Sequence, residues 1–224
     1  MAQVFDDRAQ AGERLADELA GLDLPDPVVL ALPRGGVPVA VPVAHRLGAD
    51  LGLVLVRKIG VPGHPELAAG AIMDGPSGEE IVHNDTVLKI YGLRPDDLAE
   101  TMARCRGEIA ERRKRYLGDR PLPAIAGRTA IVVDDGIATG ATVRAALKGL
   151  RRQKPARLVL AVPVAPEETL MRLRPLVDVL VCLLVPRHFA AVGQFYGDFA
   201  QVGDDAVIAA LAAFRAADDA DPGG

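Results

Sequence analysis

The chain has 224 residues, with 26 lysines and arginines against 30 aspartates and glutamates, for a formal net charge of -4. That length suffices for one large α/β domain with a sizeable core, and the charge balance leaves no electrostatic footprint for nucleic acid or an anionic membrane. Cys105 and Cys182 lie far apart without Cys-x-x-Cys spacing, which indicates neither a disulfide framework nor a zinc site and fits a reducing cytoplasm.

The N-terminal Met-Ala-Gln-Val-Phe-Asp-Asp-Arg is acidic and polar, the wrong pattern for a secretory signal. The most apolar run, Leu176 to Val185, contains Asp178 and reaches about half the length of a membrane helix. A soluble, cytoplasmic protein with small-molecule partners is expected. Asp6 or Asp7 can cap a first helix, whose Leu15, Leu19 and Leu22 keep helical spacing until Pro25 and Pro27 stop it. Val28 to Leu32 is a short apolar strand ending in Pro33-Arg34-Gly35-Gly36, and the small-residue stretch Val37 to Leu47 reads as a helix opposed by Pro42. Leu51 to Ile59 is a second apolar strand carrying Arg57-Lys58 near its end, and Gly60 to Glu66 reads as loop. Leu67 to Met73 and Glu80 to Val82 flank Asp74-Gly75-Pro76-Ser77-Gly78, a hairpin with a wide turn and a candidate flap.

From Pro95 to Leu117 the apolar Leu98, Met102, Cys105, Ile109 and Tyr116 keep three/four spacing, the mark of a long amphipathic helix. Its Arg112 to Arg115 cluster reads as a solvated face paired with Glu108 and Glu111. Later come a strand at Leu158 to Val164, a helix at Glu167 to Leu173 and a strand at Val177 to Val185. A last helix from Asp204 carries Val207, Ile208, Leu211 and Phe214 and frays from Asp218. Strands alternating with helices, with near-continuous apolar β-branched runs, predict an α/β fold: a doubly wound, mostly parallel sheet with helices on both faces. One domain over residues 1–224 is expected, with a core over about 26–185, a flap at 60–94 and a C-terminal hood and helix at 186–217. His45, His64, His83 and His188 fall in different segments and make no metal-ligand pair; His64 reads as a solvated loop histidine.

The chemistry concentrates in Ile131 to Thr142, Ile-Val-Val-Asp-Asp-Gly-Ile-Ala-Thr-Gly-Ala-Thr. An apolar run ends in Asp134 and Asp135, and a Gly-containing loop opens an amphipathic helical pattern at Val143, Leu147 and Leu150. The first amides of that helix, around Thr139 to Thr142, lack backbone partners at the positive end of the helix dipole and favour a phosphate. Carboxylates only accept hydrogen bonds, so a ribose diol suits the acidic pair and a ribose 5-phosphate group suits the whole stretch.

This stretch resembles the phosphoribosyl pyrophosphate (PRPP) signature of type I phosphoribosyltransferases: an apolar strand, two acidic residues, a short linker, then Thr-Gly-x-Thr. The resemblance covers most of Val28 to Val185. It implies the type I phosphoribosyltransferase fold, PRPP as donor with Mg²⁺ bound on it rather than in a dedicated protein metal site, and a nitrogenous base as acceptor. Ligands of open parallel sheets bind at the carboxyl ends of the strands near the switch point. The implied PRPP-binding set is therefore Arg34, Gly35, Gly36, Lys58, Asp134, Asp135, Gly136, Ala138, Thr139, Gly140, Ala141 and Thr142, with Asp134, Asp135, Lys58 and Arg34 closest to catalysis. Arg34-Gly35-Gly36 lets backbone amides turn toward a diphosphate, and the resemblance implies a cis Pro33-Arg34 bond there. Of Arg57 and Lys58, strand alternation points only one at the site, and Lys58 is preferred. In the resembling enzymes the reaction passes through a cation-like ribose, so positioning and charge complementarity carry most of the rate.

Of three tyrosines and five phenylalanines, Phe189, Phe195, Tyr196 and Phe199 crowd one segment, which suits either a hood stacking a planar base or an anchor for the tail. Tyr196, Phe199 and Asp198 are the base-binding candidates. Hypoxanthine and guanine enzymes of the family usually carry an Asp before the Thr-Gly, where this chain has Ala138. Adenine-type, pyrimidine-type or other acceptors stay open, as does a homodimer. The alternative is a PRPP- or nucleotide-binding regulator with little turnover, since Ala138 leaves no obvious general base.

Overall fold

The computed structural model describes residues 5–220; residues 1–4 of the N-terminal segment and 221–224 of the tail lie outside them. In chain order the elements are α1 (Arg8–Ala20), β1 (Pro27–Ala31), α2 (Gly36–Leu47), β2 (Asp50–Leu53), β3 (Leu55–Val61), β4 (His64–Gly75) and β5 (Gly78–His83). They continue with α3 (Asp85–Tyr91), α4 (Ala99–Leu117), β6 (Thr129–Val133), α5 (Ala141–Arg152), β7 (Arg157–Val164), α6 (Glu167–Leu173), β8 (Val179–Leu184) and α7 (Asp204–Ala220). A five-stranded sheet runs β2-β1-β6-β7-β8, parallel throughout, and β3-β4-β5 form a separate antiparallel sheet.

The parallel sheet is doubly wound because its strands are apolar on both faces. Val29, Ala31, Ile131, Val133, Val159 and Ala161 pack to one side with α1 and α2. Val28, Leu30, Ala130, Val132, Leu158 and Leu160 pack to the other, against Val143, Leu147 and Leu150 of α5. The direction in which successive strands are added reverses between the parallel neighbours β1 and β6: β1 leads outward to β2, whereas β6 leads to β7 and β8 on the other flank. The carboxyl ends of these two neighbours, paired through Ala31 and Val133, carry Pro33-Arg34-Gly35-Gly36 and Asp134-Asp135 side by side, at the switch point where open sheets bind ligands.

Asp7 caps α1, its carboxylate accepting the Gln10 N–H at 2.8 Å. Pro42 does not break α2, which continues through it to Leu47. The turn carrying it faces Gly12 of α1 so closely that a Cβ at residue 12 would sit 2.5 Å from the Val39 carbonyl oxygen and 3.1 Å from Pro42 Cγ.

Three expectations need correction. The strand expected at Leu51 to Ile59 is two strands, because the Val54 N–H still bonds to the Ala31 oxygen at 3.0 Å while Leu55 already pairs with Asp74. The antiparallel sheet therefore begins at Leu55. The loop expected from Gly60 to Glu66 is mostly strand: only Pro62 and Gly63 turn, with Gly63 at φ 78°, and register shifts on either side of Gly60 absorb the proline-bearing segment. The tail expected to fray from Asp218 is helical to Ala220. Helix α3 has no counterpart in the sequence reading; Asn84 starts it by accepting the Val87 N–H at 3.4 Å.

Gly12→Val should wedge α1 off α2 and cost about 1–3 kcal/mol, read as a lower urea midpoint with an unchanged m-value.

Candidate functional site

Asp134 and Asp135 follow β6 directly and are half-buried. One Asp134 oxygen accepts the Asp135 N–H at 2.9 Å. The Pro33–Arg34 peptide is cis, as the resemblance implied. It sets Gly35 against Asp135 so tightly that a Cβ there would lie 2.0 Å from the carboxylate, and a Cβ on Gly36 would lie 2.7 Å from the Val133 oxygen. Only glycine fits at either position.

The Asp135 carboxylate has a partner that the sequence reading missed. Arg8, the first residue of α1, donates from Nε to Asp135 Oδ2 at 2.8 Å, with side chains only 11% and 15% exposed. Its Nη1 donates to the Ala200 oxygen at 2.9 Å, and the guanidinium lies 3.8 Å from the Phe199 ring centroid. Tyr196 donates its hydroxyl to the Asp135 carbonyl oxygen at 2.6 Å. Burial raises both carboxyl pKa values, the Asp135 charge raises that of Asp134 further, and Arg8 pulls both back down. Burial also raises the Tyr196 phenol.

The loop beyond the pair is shaped for an anion. Gly140 precedes α5 at φ 75°, and a Cβ there would lie 2.9 Å from Thr169 Cγ2. Thr169 donates to the Ala138 oxygen at 2.7 Å, tying the loop to α6. Ala138, Thr139, Ala141 and Thr142 are exposed, and Gly136 lies under Val192 of the C-terminal segment. A cavity of about 190 Å³ opens where Pro33, Val54, Val56, Arg57, Arg112 and Thr142 meet.

Of the two strand-end cations, Arg57 lines this cavity. Lys58 does not; its ammonium bonds the Glu66 carbonyl oxygen at 3.1 Å within the flap. The sequence reading preferred Lys58, whereas β3 belongs to the antiparallel sheet and of its two cations it is Arg57 that borders the cavity. Arg57 Nε is 2.9 Å from Glu108, an ion pair of charges only, since the buried N–H has no aligned hydrogen-bond acceptor. Arg34 is held by Asp204 of α7 at 3.6 Å, and Arg115 and Tyr116 share that carboxylate.

The base-binding candidates are not gathered around an open slot. Tyr196 is buried on Phe5 at 5.3 Å and Phe199 at 5.0 Å, and Phe189 stacks on Phe195 at 5.9 Å. The exposed Asp198 closes its own turn by accepting the Ala200 N–H. The aromatic segment anchors the C-terminal region over the acidic strand end. Arg8 carries no short-range sequence signal, since its partner is 127 positions away.

A parallel sheet with an acidic strand end, a glycine-lined loop and a helix-starting loop meeting at its switch point defines a doubly wound α/β domain. The description of a phosphoribosyl transferase domain matches residues 2–199. A Mycobacterium tuberculosis protein named "Putative phosphoribosyl transferase Rv0571c" is 44% identical over 211 residues, which is 93% of this chain and 46% of that protein. The chain thus spans about half the length of the curated relatives it matches. The crystal structure of TT1426 from Thermus thermophilus superposes with a TM-score of 0.83 at 46% identity, covering 95% of this chain and 99% of that one. The chain belongs to the phosphoribosyl transferase family.

Two outcomes follow from the geometry. Gly35→Ala should displace Asp135 and destabilise the fold by about 1–3 kcal/mol, measured by denaturant unfolding. Arg8→Gln leaves the buried pair uncompensated and should cost about 3 kcal/mol near neutrality. Carboxyls with folded pKa values above the unfolded ones stabilise at low pH and lose that contribution as pH rises through the folded values. Without Arg8 the folded values rise further, so the loss should be larger at pH 8 than at pH 5 in parallel melts.

Proposed function

We propose that the chain transfers the ribosyl 5-phosphate group from PRPP to a nitrogenous base and releases pyrophosphate, a pentosyltransferase reaction. The observation that carries the reading is the meeting of three phosphate- and diol-type features at one switch point: the glycine-lined cis loop, Asp134-Asp135, and the loop at Thr139 to Thr142.

In this reading the 5-phosphate accepts from the amides that open α5, and the ribose hydroxyls donate to the acidic pair. The diphosphate lies along Gly35-Gly36 toward the 190 Å³ cavity, which Arg57 and Arg112 line. Arg57 takes the role that the sequence reading gave to Lys58. Charge that develops on the leaving diphosphate meets guanidiniums already in place, and the cation-like ribose lies beside carboxylates, so the site stabilises both ends of the breaking bond electrostatically. Mg²⁺ would travel on the diphosphate oxygens and water and offset their charge. Among the described residues no three His, Cys, Asp or Glu side chains converge as a separate cation site.

A second reading, a PRPP-binding regulator with little turnover, draws on two observations: the aromatic segment is spent on packing, and Ala138 supplies no proton acceptor. In both readings the cytoplasm is the proposed setting.

Calorimetric titration with PRPP and Mg²⁺, followed by purine and pyrimidine bases scored for pyrophosphate release, separates them. Release with one base establishes the transferase and names its acceptor; binding without release favours the regulator, and absence of binding overturns both. Asp134→Asn with Asp135→Asn should weaken PRPP binding at least about tenfold, since several charge-assisted hydrogen bonds are lost. Unchanged affinity would remove the ribose assignment.

A further inference from the structure

Several arginines of this chain meet a carboxylate on a neighbouring element. Arg106 meets Glu79, Arg113 meets Asp74, Arg128 meets Asp26 and Asp50, Arg151 meets Asp178, and Arg152 meets Glu80. Arg144 and Lys148 differ: they lie one turn apart on the exposed face of α5, and among the described residues neither side chain has an ion-pair or hydrogen-bond partner. Like charges at that spacing repel by a few tenths of a kcal/mol, roughly, when nothing lies between them.

Both side chains line a small hollow, about 50 Å³, between α5 and the flap strands β4 and β5. His83, at the end of β5, lines it from the other side, and its Nδ1 is buried with no hydrogen-bond partner. No carboxylate lines the hollow. The nearest flap acid along α5, Glu80, is taken by Arg152 one turn beyond Lys148. Asn84 at the rim is occupied as well, its amide donating to the Ala68 oxygen and its oxygen accepting from Val87. Arg144 also lines a wider hollow of about 340 Å³ on its other side, where Arg172 and Thr169 stand beside Thr139 and Gly140. Two cations, an unsatisfied imidazole nitrogen and the first turn of α5 thus surround a space with no counter-charge of its own.

We propose that this hollow is a second anion site, outside the cavity proposed for the diphosphate, taking a tetrahedral oxyanion of the phosphate class between Arg144, Lys148 and His83. The space holds a few water-sized groups, the scale of one such ion with its rim open to solvent. Guanidinium and ammonium donors make charge-assisted bonds to phosphate oxygens, and an ion there would join flap to α5, whose N-terminus forms the loop at Thr139 to Thr142. Occupancy would thereby fix the flap relative to that loop. The hollow borders the PRPP-binding set at Ala141, which lines it, but none of the three side chains proposed to hold the ion belongs to that set, so the two readings are tested separately.

The test is titration of the full chain with inorganic phosphate, followed by ³¹P line broadening and calorimetry, with chloride at matched ionic strength as reference. It is run on the free protein and on protein saturated with PRPP and Mg²⁺. Phosphate should still bind the saturated protein, Arg144→Gln with Lys148→Gln should weaken that binding at least about tenfold, and the charge-conserving Arg144→Lys with Lys148→Arg should retain it. The charge-matched pair Arg46→Gln with Lys114→Gln, on exposed faces elsewhere, should leave it unchanged. Loss of phosphate binding on saturation with PRPP, equal binding by the double glutamine variant, or an equal effect of the distant pair would each overturn the proposal. If PRPP itself fails to bind, the transferase reading falls, and the same variants titrated without PRPP still decide the hollow.

Discussion

The structure depends on one close approach: the chain after β1 and the chain after β6 meet with no room for a side chain at Gly35. That contact sets a backbone loop against a carboxylate at the one place where the sheet changes direction. Two acids in sequence, half-buried and beside each other, are costly unless something offsets them. Here the offset comes from the first helix, and Arg8 is itself fixed by Phe199 and the Ala200 carbonyl. The two ends of the chain are thus fastened over the middle of the sheet by one guanidinium.

That fastening explains why the C-terminal aromatics are where they are. Phe5, Phe195 and Tyr196 form a small apolar cluster with Val164 and Ala11, and the Tyr196 hydroxyl reaches the backbone of Asp135. The cluster holds Arg8 and the carboxylate in register, and its rings are covered by one another and by Arg8. The acidic strand end is therefore walled on this side by packed aromatics, while the 190 Å³ cavity carries Arg57 and Arg112.

Much of this was legible in the sequence where the signal is local. Val28 to Leu32, Leu158 to Val164 and Glu167 to Leu173 read correctly because apolar runs and their punctuation are properties of neighbouring residues. The acidic pair with its Thr-Gly-x-Thr loop was equally plain, as was the glycine-lined loop after β1. What failed was non-local. The run from Leu51 to Ile59 is unbroken in hydrophobicity, yet its hydrogen-bond partner changes at Val54 from one sheet to another. No pattern within the run encodes that change, and with it went the choice between Arg57 and Lys58. Arg8 escaped for the same reason: a lone arginine after two aspartates looks like a helix start, and its partner is named only by the fold. The aromatic segment was read evenly between stacking surface and anchor, and packing decided for the anchor.

The change of partner at Val54 has a mechanical side. A single buried residue separates the last strand-paired residue of the parallel sheet from the first of the flap, so there is no slack in the connection. Val54, Leu55, Val56 and Arg57 are at the same time a wall of the 190 Å³ cavity. The same short length of chain that joins the parallel sheet to the antiparallel one thus also bounds the cavity, so a ligand held there would press directly on the junction of the two sheets.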